Sequence, residues 1–191
     1  MENRPGCKLT QNLLIAGLAL AAVTWPAVLQ AQLPVGARAP AFATQGALAG
    51  KPYAFNLRQA LRRGPVVLYF YPKAFTQGCT LEAHAFAEAE DDFAKAGAMV
   101  IGMSADDLPT LTRFSTEACR DKFPVAVATP AIVRAYDVAL SRPGMPAGLT
   151  DRTSYVIAPN GRITFVHSDL DYRDHVRLTL DAVKALGAPR R

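Results

Sequence analysis

Three residues of the stretch PKAFTQGC are spaced so that they could form a nucleophilic site: Pro72, Thr76 and Cys79. A cysteine near a helix start becomes a thiolate more readily, because the helix dipole stabilises negative charge there. A hydroxyl three residues before the sulfur suits hydrogen bonding to a small polar substrate during attack. The proline lacks an N–H and has a fixed backbone angle, so it could shape and shield the pocket.

Cys79 has two other interpretations. Free cysteines are often buried and inert, although the polar loop before Cys79 favours an accessible sulfur. A structural crosslink to Cys119 is the other alternative if the chain folds in an oxidising compartment. A C-x-x-C dithiol pair is excluded, because Thr76 occupies the position of its first cysteine.

The segments around Cys79 predict a strand, a loop and a helix. Residues 65–71, PVVLYFY, form an apolar run typical of a strand that is buried on both faces. A spacing of four between apolar side chains predicts an amphipathic helix from Cys79 to about Gly97. Its predicted apolar face consists of Leu81, Ala85, Ala89 and Phe93. The acidic side chains, Glu82 among them, are expected on the other faces.

The rest of the chain continues this alternation of strands and helices. The further predicted elements are a strand over 98–104, a helix opened by Asp107 and Pro109, a short strand over 123–129, a hairpin about Asn160-Gly161 and a closing helix over 171–187. This order predicts an α/β protein with parallel strands first and an antiparallel hairpin last. The expected architecture is a thioredoxin-like fold, with a central mixed sheet flanked by helices.

Residues 1–31 are predicted to form a secretory signal. Arg4 and Lys8 precede an uncharged apolar run over 13–29, and small residues follow it. An uncleaved membrane anchor is the alternative, because a run of this length can cross a bilayer. Export, to a bacterial periplasm, is the expected localisation, and residues 32–191 are expected to form one domain.

The charge pattern does not favour a nucleic-acid surface. The chain carries 21 Lys and Arg against 16 Asp and Glu, a formal net charge of +5. The basic residues are scattered, and no aromatic residues interleave with a basic stripe. A solvated, mildly basic surface is the better interpretation, and no apolar stripe demands a partner chain.

The motif formed by Pro72, Thr76 and Cys79 matches the P-x-x-x-T-x-x-C signature of the peroxiredoxins. The wider string YFYPKAFTQGCTLEA resembles their Q-type class, the bacterioferritin-comigratory-protein group of the AhpC/TSA family. VGARAPAF, VIGMSADD and DRTSYVIAPNGRI are similar to further segments of that family. The resemblance implies a thiol peroxidase with a thioredoxin-like fold that acts on hydrogen peroxide and organic hydroperoxides. It implies no metal or organic cofactor, a thioredoxin-like protein or small thiol as reductant, and a monomer.

The resemblance also implies a role for each matching residue. Cys79 would attack the peroxide O–O bond and become a sulfenic acid, while Thr76 would hydrogen-bond the peroxide and Pro72 would shield the sulfur. Arg152 would lower the pKa of Cys79 and stabilise the departing oxygen; without the resemblance it would be taken for a surface arginine. Glu82 occupies a similar family position, but we interpret it as a complement to the helix dipole.

The sequence departs from many Q-type enzymes at the resolving cysteine. The usual position, five residues after Cys79, holds His84. Cys119, near the end of the helix opened by Asp107, is the predicted replacement. A Cys79–Cys119 disulfide would require the helix start to unwind, because bonded cysteines have Cα atoms within about 7 Å of each other. The alternative is a passive Cys119 and an external resolving thiol.

Two hypotheses of other classes use the same scaffold. A copper-binding chaperone could use the soft thiolate of Cys79 with the imidazoles of His84, His167 and His175. It would lack the second cysteine of the usual C-x-x-x-C motif. A non-catalytic interaction module is the other alternative, and the intact set of Pro72, Thr76, Cys79 and Arg152 argues against it.

Overall fold

The computed structural model describes residues 32–187, and the predicted signal segment lies outside them. The strands are β1 (Ala43–Leu48), β2 (Lys51–Asn56), β3 (Val66–Phe70), β4 (Met99–Ser104), β5 (Val125–Val127), β6 (Thr153–Ile157) and β7 (Ile163–Ser168). The helices are α1 (Leu57–Leu61), α2 (Gln77–Lys95), α3 (Leu108–Glu117), α4 (Pro130–Tyr136) and α5 (His175–Gly187). Among the described residues, no helix is both long and apolar enough to cross a membrane.

The seven strands form one mixed sheet in the order β2-β1-β5-β4-β3-β6-β7. The central strands β3, β4 and β5 are parallel, whereas β6 and β7 pair antiparallel beside β3. This arrangement confirms the prediction of a thioredoxin-like α/β fold with a mixed sheet flanked by helices. The carboxyl ends of the parallel strands meet at one edge of the sheet, and the loop to Cys79 leaves from that edge.

Strand β3 is buried on both faces, as its apolar run predicts. Val67 and Tyr69 lie in the core beneath α2 and α3, whereas Leu68 and Phe70 lie in the core on the opposite side. Successive side chains of a strand point to opposite faces, so a strand covered on both sides has no polar positions. Because both faces are packed, β3 holds the following loop in a defined place.

The predicted apolar face of α2 is right at Phe93, which is buried, and at Ala89, which packs against the core, but it is wrong at Leu81. Leu81 has 41% of its surface exposed. The residues of α2 that are buried are Cys79, Glu82, Ala83, Phe86, Ala87 and Phe93. A helix has about 3.6 residues per turn. Residues spaced strictly four apart therefore move gradually around the helix, whereas residues spaced alternately three and four apart stay on one face. The true face includes Glu82 because its buried carboxyl accepts a hydrogen bond from a buried arginine, as described below.

The amino-terminal hairpin of β1 and β2 and the short helices α1 and α4 extend the predicted order. Strand β1, ATQGAL, has Thr44 as its single β-branched residue and contains no aromatic residue, so little in its sequence favours a strand. Its Gly46 passes so close to β5 that a Cβ atom would collide with the backbone at Val125. Helix α4 carried a recognisable signal: Thr129 caps it by accepting from the N–H of Ile132, and Pro130 follows.

Candidate active site

Cys79 lies in the first turn of α2, two residues after the helix begins at Gln77. Only 2% of its surface is exposed, and it belongs to the apolar core that also contains Tyr71 and Ala83. The expectation of an accessible sulfur is therefore wrong. The first turn of α2 packs on the sheet, so the sulfur is desolvated while it remains near the unpaired N–H groups of the helix start.

Arg152 directly precedes β6, and its guanidinium group contacts Cys79. Its Nη2 donates to the Cys79 Sγ at 3.4 Å, and its Nε donates to the carbonyl oxygen of Leu170 at 2.9 Å. Its Nη1 donates to the Glu82 carboxyl. With 4% of its surface exposed, Arg152 is not a surface arginine. The three contacts use all three guanidinium nitrogens, Nη1, Nη2 and Nε, so the orientation of the Arg152 side chain is well defined.

The pairing of β3 with β6 brings Arg152 to the sulfur. The two strands are antiparallel, and Phe70, the last residue of β3, lies opposite Thr153, the first residue of β6. The residue before β6 therefore emerges where the chain leaves β3 toward Cys79. The hydroxyl of Thr150 donates to the carbonyl of Tyr71 at 2.6 Å and joins these two chain segments.

Glu82 is the residue of this site that the sequence analysis placed wrongly. It is fully buried, and its carboxyl accepts a hydrogen bond from Nη1 of Arg152. Burial raises its pKa from 4.5 to about 8, although the Arg152 guanidinium opposes the shift. Residues three apart share a face of a helix, so its position three residues after Cys79 was the available signal.

Neighbouring side chains keep the guanidinium group of Arg152 positively charged. Burial alone would lower the pKa of the guanidinium, but the Glu82 and Cys79 side chains raise it above its usual value. Arg152 therefore stays cationic inside the protein. A hydrogen bond that involves an ionised group is stronger than a neutral one, and here it points at the sulfur.

Thr76 is the N-terminal cap residue of α2, and its exposed hydroxyl donates to the carbonyl of Lys73 at 2.9 Å. The oxygen lone pairs of the hydroxyl can accept from a bound molecule. Pro72 is half-buried at the start of the same loop. The loop is fastened by Asp106, whose Oδ2 accepts from the N–H of Ala74 at 2.7 Å.

Gly78 is a second residue that the sequence analysis missed. A Cβ atom at this position would lie 3.3 Å from Nη2 of Arg152, tighter than most real contacts. The absence of a side chain thus leaves room for the guanidinium beside Cys79. The sequence signal was a glycine near a helix start. Glycine is common there, so it did not indicate a close contact with an arginine.

Cys119 lies just after α3 and is fully buried. Burial raises the pKa of its thiol well above the ordinary value, and nearby Asp121 adds to the shift. Both Cys79 and Cys119 are free thiols that share one apolar core, which also contains Tyr71 and Phe114 with stacked rings. The disulfide between them stays a prediction, and it requires movement of packed side chains.

The histidines do not gather around Cys79. His84 is half-buried, and His167 and His175 contact each other with ring centroids 4.5 Å apart. Within residues 32–187, no group of three or more His, Cys, Asp or Glu side chains could hold a metal ion. The sulfur instead faces the cationic Arg152, which disfavours a cation there. The copper hypothesis gains no support from this geometry.

A thioredoxin-like sheet with a cysteine at a helix start and a buried arginine on its sulfur defines the peroxiredoxin class of site. The AhpC/TSA family pattern matches residues 35–166, and the chain belongs to the AhpC/TSA family. This confirms the resemblance found in the sequence.

Named relatives lie in the Q-type group. The chain is 32% identical over 127 residues to peroxiredoxin Q, chloroplastic, of Oryza sativa subsp. japonica, over 64% of this chain and 55% of that protein. It is 31% identical over 123 residues to peroxiredoxin Bcp of Xanthomonas campestris pv. campestris, over 63% of this chain and 76% of that protein. The solved structure of Xanthomonas campestris peroxiredoxin Q matches with a TM-score of 0.66 and 28% identity, over 75% and 91% of the chains. The chain spans about half the length of the rice relatives.

Proposed function

We propose that this protein is a thiol-dependent peroxidase that reduces hydrogen peroxide and organic hydroperoxides, with Cys79 as the nucleophile. The observation that carries the proposal is the 3.4 Å contact between Arg152 Nη2 and Cys79 Sγ, inside the protein and at a helix start. A buried cation beside a sulfur stabilises the thiolate and any negative charge that develops next to it. Membership of the AhpC/TSA family supports the same activity.

In the first step, the Cys79 thiolate attacks one oxygen of the hydroperoxide. A sulfur–oxygen bond forms while the O–O bond breaks, so the sulfur is oxidised to sulfenic acid and the peroxide is reduced. The other oxygen leaves with the bonding electron pair and takes up a proton, giving water or an alcohol. Arg152 stabilises the charge on that oxygen, and the Thr76 hydroxyl hydrogen-bonds the peroxide at the helix start; the buried contact of Arg152 with the sulfur and the exposure of Thr76 support these roles.

In the second step, the Cys119 thiol attacks the sulfenic acid of Cys79. A disulfide forms and water leaves. An external thiol, either a thioredoxin-like protein or a small thiol, then reduces the disulfide and returns both cysteines to thiols. The shared apolar core of the two cysteines supports this pairing. The start of α2 or the turn after α3 must open first, since Cys119 is fully buried.

We also propose that the enzyme acts in the periplasm as a monomer. The predicted secretory signal over 1–31 supports the location. Exposed large apolar side chains are few among the described residues, which supports a single-chain protein: Val35, Phe75, Leu81, Met145 and Leu186.

The test is a reaction of the reduced protein, lacking residues 1–31, with one equivalent of hydrogen peroxide. Thiols are mapped by mass spectrometry in the wild type, Cys79→Ser and Cys119→Ser. We expect a Cys79–Cys119 disulfide in the wild type and sulfenic or sulfinic acid on Cys79 in Cys119→Ser. Identical oxidation of Cys79 in both would assign resolution to an outside thiol. A Cys79 that stays reduced would contradict the peroxidase itself.

A further inference from the structure

His175, the first residue of α5, is fully buried, and its protonation pattern follows from its partners. Its Nε2 lies 2.9 Å from the carbonyl oxygen of Asp169, which can only accept, so Nε2 carries a proton. In the neutral ring, Nδ1 is then an acceptor. The Ser154 hydroxyl lies 2.8 Å from Nδ1 and is its donor.

The Glu82 carboxyl presents a second acceptor to the same ring. Its Oε2 accepts from Arg152, whereas its Oε1 is buried without a hydrogen-bond partner among the described residues. Oε1 lies 3.8 Å from Nδ1 of His175. Two acceptors that face each other inside a protein are unfavourable, and a proton on one of them removes the conflict. Because Oε2 is occupied by Arg152, Oε1 is the oxygen that can carry the proton.

We propose that His175 is a positioning residue for the reaction at Cys79, and that its Nδ1 holds Glu82 in the protonated, neutral form. This inference rests on the proposed peroxidase function. A neutral Glu82 still accepts from Arg152, but it does not cancel the guanidinium charge. The guanidinium charge can then stabilise negative charge on the sulfur and on the departing oxygen. The contact needs a shift of under about 1 Å to reach hydrogen-bond length, and the Glu82 O–H then shares the single Nδ1 lone pair with the Ser154 hydroxyl.

The surroundings of the pair support this assignment of the proton. Burial raises the pKa of Glu82 to about 8 and lowers the pKa of His175 to about 4, so both groups are neutral near pH 7. The other titratable and charged groups around the pair, or around the Arg152 that contacts Glu82, come from several packed elements. They are Tyr69 and Tyr71 of β3, Cys79 of α2, Arg152 before β6, His167 of β7, Asp169 in the following loop and Asp174 before α5.

The test is the pH profile of the rate constant for oxidation of Cys79 by hydrogen peroxide, measured by stopped flow on the reduced protein. We expect the rate to fall as Glu82 ionises, around pH 8. His175→Gln removes the nitrogen that faces Glu82, so the falling limb should move to lower pH by about one unit. Ser154→Ala removes the competing donor to Nδ1, so the limb should move to higher pH. His84→Gln, the same change at a half-buried histidine elsewhere, should leave it in place.

The decisive variant is Glu82→Gln, because a glutamine at this position cannot ionise. In that background the falling limb should vanish, and neither His175→Gln nor Ser154→Ala should move the profile further. A loss of rate that is uniform over pH, or one that persists in Glu82→Gln, would overturn the role of His175. If His175→Gln fails to fold by circular dichroism, the opposite shift in Ser154→Ala and its loss in Glu82→Gln decide the question. A wild type that does not react with peroxide would instead overturn the proposed function.

Discussion

The guanidinium of Arg152 lies 3.4 Å from the sulfur of Cys79, although 73 positions separate the two residues in the chain. The same group joins Glu82, 70 positions away, and the backbone of Leu170. One side chain thus ties α2, β6 and the loop after β7 together at the sulfur. The reactivity of Cys79 and the stability of this corner of the fold therefore depend on the same contacts.

Arg152→Lys should lower the rate of Cys79 oxidation by hydrogen peroxide on the order of 10²-fold. Lysine keeps the positive charge, but its single ammonium group cannot reach the sulfur, Glu82 and Leu170 together. Stopped-flow mixing measures the rate, and thermal unfolding checks that the variant folds. Arg177→Lys, at an exposed arginine of α5, serves as the control and should react like the wild type. Equal rates for both variants would contradict the claim that oxidation of Cys79 depends on the three guanidinium contacts of Arg152.

Gly78→Ala should reduce the same rate by about tenfold, because small displacements of catalytic groups have large kinetic effects. The added methyl group would stand 3.3 Å from Nη2 of Arg152 and push it from the sulfur by a few tenths of an ångström. Gly187→Ala is the matched control, since a Cβ there meets no atom. The prediction fails if the two alanine variants have the same rate and the same melting temperature.

Glu82→Gln should become more stable relative to the wild type as the pH rises from 4.5 to 8. The folded pKa of Glu82 lies above its unfolded value, so its contribution to stability is complete below pH 4.5 and is lost as the pH rises through about 8. Each pKa unit corresponds to about 1.4 kcal/mol, and the relative change should amount to a few kcal/mol. Urea unfolding over this pH range measures it.

The control for that experiment is Glu117→Gln, at an exposed carboxylate paired with Arg113. Its stability relative to the wild type should stay nearly constant over the same range, because an exposed pair contributes little. A flat difference for Glu82→Gln as well would show that the buried carboxyl ionises in the folded protein as readily as in the unfolded chain.

Cys119 should react with iodoacetamide at neutral pH far more slowly in the folded, reduced protein than in urea. The thiolate is the reactive form, and burial both raises the pKa of this thiol and blocks the reagent. Mass spectrometry of the labelled peptide, in Cys79→Ser to remove the competing thiol, gives the two rates. Similar rates would mean that the turn after α3 opens readily before any peroxide arrives.

The sequence by itself determined the elements that surround Cys79. The apolar run of β3, the helix that follows and the hairpin about Asn160-Gly161 are all encoded by neighbouring residues, so local patterns were enough to predict them. The motif of Pro72, Thr76 and Cys79 is local for the same reason. The mixed sheet followed from the order of these elements.

Only the tertiary structure decided which side chains meet the sulfur. Glu82 looked like one more exposed acid on α2, and its burial depends on Arg152, which the pairing of β3 with β6 delivers. His175 likewise reaches Glu82 only because α5 packs on α2 and β6. Contacts of this kind form between residues about 70 to 93 positions apart, and no periodicity in the sequence carries that information. The charge state of a buried group depends on its neighbours in space, and those neighbours are set by the register of the sheet.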